Sequence, residues 1–182
     1  VGLIKDYKKM ISMDLKEIDN LVLIIGKTEG HIDQSLFLRT ILDEKNGPPP
    51  EVNLFNEKNN GESILNLIDK GYVKSAHDIS LGGLLVAISK MCIRGNKGIK
   101  ITKSKNLINE IEFFFAEDQG RYLIEVNKED LKEVTKILNK NSVHHEELGI
   151  ITQNDMIINE KTKVTIDELK SYYTNWLSKY MS

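Results

Sequence analysis

Short apolar runs, each closed by glycine or a polar cluster, alternate along this chain with apolar stripes at helical spacing. The clearest run is Leu21-Val22-Leu23-Ile24-Ile25-Gly26, whose unbroken apolarity fits a strand buried on both faces. A stripe of Leu36, Phe37, Leu38, Ile41 and Leu42 predicts a helix, with Asp33 placed to cap it. Gly47-Pro48-Pro49-Pro50 holds every proline of the chain and predicts a stiff, extended connector within one domain. Ile64, Leu65, Leu67 and Ile68 mark a further helix, ended by Gly71 at the C′ position.

The second half repeats the alternation. Tyr72 to Asp78 predicts a strand, and Leu84 to Met91 a helix that turns Leu84, Leu85, Ile88, Met91 and Cys92 inward and ends at Gly95. Strand Ile99 to Thr102 follows, then a short helical or irregular piece through Phe113-Phe114-Phe115, then strand Arg121 to Val126. Asn127 is placed to cap a helix that buries Leu131, Val134 and Leu138. His144 to Thr152, Met156 to Asn159 and Lys163 to Ile166 read as extended. Thr165 and Glu168 have the spacing of a capping box, opening a helix expected to bury Leu169, Tyr173, Trp176, Leu177 and Tyr180. The order implies an α/β (α+β) fold with a mixed sheet and packed helices, with residues 1–20 as a lead-in and 21–182 as the domain.

Composition narrows the function classes. With 182 residues, 40% hydrophobic and 29% charged, the chain can build a globular core. A net charge of −2 gives no field to draw nucleic acid or anionic membrane. No apolar stretch approaches the roughly 18 residues of a membrane span. The one cysteine, Cys92, excludes an intrachain disulfide and any zinc site with more than one thiolate. A reducing compartment, most simply the cytoplasm, is the expectation.

Two stretches carry candidate chemistry. In Ser75-Ala76-His77-Asp78-Ile79-Ser80-Leu81-Gly82-Gly83-Leu84 a strand ends in a polar cluster, turns on two glycines and enters an amphipathic helix. Glycines let backbone N–H groups approach an anion, and a helix N-terminus favours one. His77, Asp78, Ser80, Gly82 and Gly83 are therefore candidates for a phosphate or nucleotide site, or its vestige. The plainer reading is a tight connection capped by Ser80 or Asp78. In Phe115-Ala116-Glu117-Asp118-Gln119-Gly120-Arg121-Tyr122, the residues Glu117, Asp118, Gln119 and Arg121 are candidates to contact a phosphorylated substrate or its Mg²⁺. The structural alternative is a turn with Arg121 paired to Glu117.

Other features point to structure. His144 and His145 beside Glu146 and Glu147 face opposite sides of a strand, so they read as a solvated charged edge rather than a metal cluster. Cys92 reads as a buried, inert thiol. Lys27-Thr28 lacks the spaced glycines of a phosphate-binding loop. No catalytic residue and no metal ligand is assigned.

Gly47-Pro48-Pro49-Pro50 with Val52-Asn53-Leu54, Ser75-Ala76-His77-Asp78-Ile79-Ser80 with Gly82-Gly83, and Glu117-Asp118-Gln119-Gly120-Arg121-Tyr122 occur in that order. Together they resemble the C-terminal domain of the aminoimidazole ribonucleotide synthase superfamily, and within it the phosphoribosylformylglycinamidine synthase family's synthetase subunits. The closing Trp176-Leu177 and Tyr180-Met181 are similar too. The resemblance implies the last domain of a longer chain, joined through residues 1–20 to a preceding domain. It implies a purine-synthesis ligase that uses ATP and Mg²⁺ to transfer glutamine-derived ammonia onto a ribonucleotide amide. Its implied partners are the N-terminal domains of the same chain, a glutaminase subunit and a small accessory subunit.

The departures imply a quiet copy. Leu81 replaces an acidic residue before the glycines, Asp33-Gln34 replaces a glycine pair before the retained Ser35, and Leu36 and Lys90 replace glutamates. Polar positions have changed while apolar stripes persist, which fits a scaffold domain that is inactive alone and binds no cofactor tightly. Two alternatives stay open. One is the equivalent domain of aminoimidazole ribonucleotide synthase, selenophosphate synthetase or thiamine monophosphate kinase. The other is a free-standing binding module.

Overall fold

The computed structural model describes residues 4, 6–102 and 109–181, apart from the side chains of residues 177–179. Seven strands form one sheet in the order β2-β4-β1-β5-β3-β6-β7. They are β1 (Leu21–Ile25), β2 (Val73–Asp78), β3 (Gly98–Ile101), β4 (Tyr122–Val126), β5 (His145–Thr152), β6 (Asp155–Ile158) and β7 (Thr162–Thr165). The β3–β6 pair is parallel and the other neighbours are antiparallel, so the sheet is mixed.

Every residue of β1 is buried, as its unbroken apolarity predicts. Its alternating side chains divide the core. Val22 and Ile24 join Leu84, Ile88 and Met91 of α3 (Gly83–Gly95) and Phe113 and Phe114 of α4 (Glu110–Phe115). Leu21, Leu23 and Ile25 join Ile64 and Leu67 of α2 (Leu54–Asp69) and Val134 and Leu138 of α5 (Leu131–Lys140). The sheet is thus covered on both faces.

The lead-in is stitched to this body. Leu15 is buried in the core, and its backbone lies so close to Gly95 that a Cβ there would overlap Leu15 O. Glu125, wholly buried, accepts from Lys16 N (2.8 Å), Glu17 N (3.0 Å), Asn20 Nδ2 (2.8 Å) and Ser75 Oγ (2.9 Å). A buried carboxylate is tolerated because each oxygen accepts two bonds.

Several expectations are corrected. The cap of α1 (Leu36–Ile41) is Ser35, whose Oγ accepts from Leu38 N, rather than Asp33. The helix is too short to bury its whole stripe, so Ile41 and Leu42 are exposed. The cap residue of α5 is Asp130, and Asn127 starts the preceding turn by accepting Asp130 N at its carbonyl. His145-Glu146-Glu147 lie in β5, an inner strand, so they form no sheet edge. The capping box of α6 (Ile166–Met181) forms, with Glu168 N donating to Thr165 Oγ1. The aromatic stripe of that helix is nevertheless outside the core: Tyr173, Trp176 and Tyr180 are 55%, 61% and 79% exposed. Past Leu169 the helix leaves the core: Lys170 still donates to Asn96 Oδ1 and Tyr173 borders a groove beside α3, while Trp176 and Tyr180 lie outside both core clusters. The Leu177 side chain and positions 103–108 of the stretch before Phe113 fall outside the described residues.

Candidate functional site

The glycine turn lies at the end of β2. Ile79 is buried and its N–H donates to Arg121 O at 2.9 Å, so the chain leaves the sheet beside the second motif. Gly83 N donates to Ser80 O (2.9 Å), closing a tight turn, and Gly82 (φ 88°) caps α3 without a side chain. A Cβ on Gly83 (φ +71°) would stand 2.7 Å from Ala116 O, so only glycine admits this approach of α3 to the residues after α4.

That approach brings Glu117 to the helix N-terminus. Its Oε1 accepts from Gly82 N at 2.8 Å and from Leu36 N at 2.7 Å. The position where a phosphate oxygen would meet the glycine amides is thus filled by the chain's own carboxylate, which also ties α1 to α3. Ser80 and Leu81 remain exposed beside it. His77 Nδ1 lies 3.0 Å from Asp78 Oδ1, and His77 Nε2 is buried without a partner among the described residues.

The other carboxylate of the pair is also engaged. Asp118 accepts from Glu29 N (3.0 Å), Gly30 N (3.2 Å) and His31 N (3.0 Å), which fixes the loop after β1. Arg121 is buried and pairs with Asp118 (3.7 Å) instead of Glu117. It also donates to Ala116 O (2.6 Å) and Thr28 Oγ1 (3.1 Å). Burial pulls its pKa down, and the carboxylates of Asp118, Glu146 and Glu117 oppose that shift.

Asp118 and exposed Gln119 face a groove of about 840 Å³ bounded by the loop after β1, the triple-proline connector and the start of α2. His31 Nε2 donates to Pro48 O at 3.0 Å, holding the connector over the groove, while Asn60 Nδ2 donates to Gly120 O at 2.9 Å on its floor. Lys27 in its wall pairs with Glu29 at 2.8 Å. Sequence reading missed this groove, although Asn53, Asn56, Glu57 and Asn60 stand at i, i+3, i+4 and i+7 of one helix face. His144 lines it, while Glu146 behind it is half-buried with its pKa pushed up by burial, against the pull of His144 and Arg121. The motifs therefore meet at Glu117 and Gly82, whereas His77, Asp78, Ser80 and Gly83 stand outside the groove.

Among the described residues, no three metal-ligating side chains converge, and no helix is long and apolar enough to cross a membrane. The residues do not fit a triphosphate: the glycine amides and both motif carboxylates are spent on internal bonds, and the one groove lysine is paired.

Residues 17–159 match the family described as AIR synthase related protein, C-terminal domain. A phosphoribosylformylglycinamidine synthase subunit PurL of Pelagibacter ubique is 64% identical over 100% of this chain and 25% of its own length. That of Bartonella henselae is 34% identical over 100% of this chain and 24% of its own. The chain thus spans about a quarter of these curated relatives. Among solved structures, Thermotoga maritima PurL complexed with FGAR aligns with TM-score 0.73 at 17% identity, over 90% of this chain and 30% of that one. Escherichia coli HypE aligns with TM-score 0.60 at 17% identity, over 87% and 52%. At these identities the likeness is of fold alone.

Proposed function

We propose, from the premise that this chain belongs to the AIR synthase related family through its C-terminal domain, that it is the scaffold domain of a longer PurL-type synthetase. The longer protein converts formylglycinamide ribonucleotide, ammonia from glutamine and ATP into formylglycinamidine ribonucleotide, ADP and phosphate. Residues 1–20 join the domain to a preceding one, and residues 21–182 form the domain. An identity of 64% over the whole of this chain to a relative about four times as long supports this assignment.

One observation carries the scaffold role: Glu117 occupies the anion position of the glycine turn. Binding phosphate there requires expelling a carboxylate that holds two helices together. The domain's own residues accordingly orient and pack, through Asp118 on the loop after β1 and Arg121 beneath it. ATP and Mg²⁺ would be held by the other domains of the polypeptide, where ATP would supply the activating phosphoryl group and Mg²⁺ would neutralise its phosphates. The ATP complex of T. maritima PurL supports nucleotide use by the whole enzyme. A PurLQS assembly from that organism supports glutaminase and small accessory subunits as partners.

The isolated 182-residue chain, given formylglycinamide ribonucleotide, ammonia and Mg-ATP, is expected to release no ADP above the buffer rate. ADP release that scales with its concentration overturns the scaffold reading.

A further inference from the structure

Helix α6 carries apolar residues Ile166, Leu169, Tyr173, Trp176 and Tyr180 at alternating spacings of three and four, the pattern of a helix–helix seam. The first two reach this domain's core: Ile166 is buried and Leu169 packs against the same cluster. The next three continue the same face into solvent, with the Trp176 and Tyr180 rings tilted against each other at a centroid distance of 6.3 Å. Tyr172 and Met181 beside them are 74% and 76% exposed. With aromatic side chains of 150–250 Å² each, the exposed rings present roughly 600 Å². That lies at the top of the roughly 300–600 Å² of the largest patch on an ordinary monomer and approaches the ~800 Å² per side of a stable interface.

The flanks are mostly neutral. Ser171, Thr174 and Asn175 carry no charge, Lys170 donates to Asn96 Oδ1 of this domain, and Lys179 is the one further charge in the sequence of these turns. Tyr173 also borders a groove of about 380 Å³ between α3 and residues 12–14, where Met13 and Ile93 are flanked by Lys90 and Arg94. Neither of those cations has an ion-pair partner among the described residues, and the lining carboxylate Asp14 is already paired with Lys16 at 2.6 Å, so the groove suits an apolar occupant with an acidic residue at its rim.

We infer that the overhanging stripe of α6 docks an apolar helix of the same polypeptide, lying outside these 182 residues and presenting a carboxylate to Lys90 and Arg94. The choice of occupant rests on the proposed function, in which this domain is about a quarter of a longer chain. One stripe then packs its first turns on this domain and its last turns on a neighbour, locking their relative orientation.

The test uses the full natural polypeptide with the photoreactive residue p-benzoylphenylalanine at Trp176, and in a parallel sample at exposed Lys136 on α5. Its mass is measured first: a natural chain of only 182 residues defeats the proposed function itself, and this inference with it. With the longer chain in hand, irradiation should give intramolecular crosslinks from position 176 to a helical peptide outside this domain, several-fold above position 136. Crosslinks between two polypeptides, crosslinks confined to this domain, or a yield equal to that of position 136 would each overturn the inference while leaving the proposed function standing.

Discussion

Replacing Glu117 with alanine probes the feature on which the scaffold reading turns. Its Oε1 takes two short backbone bonds, 2.8 Å from Gly82 N and 2.7 Å from Leu36 N, at the start of a 13-residue helix. Bonds to a charged group contribute about 1.5–3 kcal/mol each. The site is half-buried, so water replaces part of the loss, and the expected cost is about 2–4 kcal/mol. Glu117→Gln keeps an oxygen but loses the charge, and should cost about half as much. The variant should also gain what the wild type lacks, an open anion position. If phosphate binds there tenfold below its working concentration, it restores about 1.4 kcal/mol. Urea unfolding of wild type and variant, with phosphate or with chloride at equal ionic strength, measures both effects. A loss below about 0.5 kcal/mol, or equal phosphate stabilisation of the wild type, would refute the claim that Glu117 fills this position.

Three further outcomes follow from the same contacts. Glu125→Ala strands four donors around a buried site and should cost about 3–5 kcal/mol in chemical denaturation, with amide exchange accelerating at residues 16–20. Arg121→Ala should cost a similar ~3–5 kcal/mol and loosen the loop after β1, seen as faster exchange at Glu29 to His31. Burial pushes the Cys92 thiol from 9.0 to about 12, so a thiol reagent should label it only on unfolding. Because the unfolded chain ionises first, this thiol leaves stability flat below pH 9 and lowers it as pH rises from 9 towards 12; a Cys92→Ala variant should lack that alkaline decline.

Much of the fold was legible because burial leaves a periodic trace. Unbroken apolarity marked β1, and Gly71 marked the end of α2 because its positive φ suits glycine at C′. The misreadings have physical causes. Asp33 and Ser35 are both good caps, and only tertiary placement selects Ser35. The α6 stripe has a buried period, but periodicity states that a face will be covered, not by what. The two candidate motifs were recognisable, yet their residues looked like ligand contacts because the bonds that occupy them reach across 35 and 87 or more residues. The groove escaped notice since asparagines on a helix face carry no apolar signal.

The central claim is that this domain's glycine turn is occupied by its own carboxylate and holds no nucleotide. It is tested most directly by titrating the ¹⁵N-labelled domain with Mg-ATP and following the amide resonances of Leu36, Gly82 and Gly83. The account predicts that all three stay in place up to millimolar nucleotide. A saturable shift of Gly82 and Leu36 together, with release of the Glu117 bonds, would contradict it.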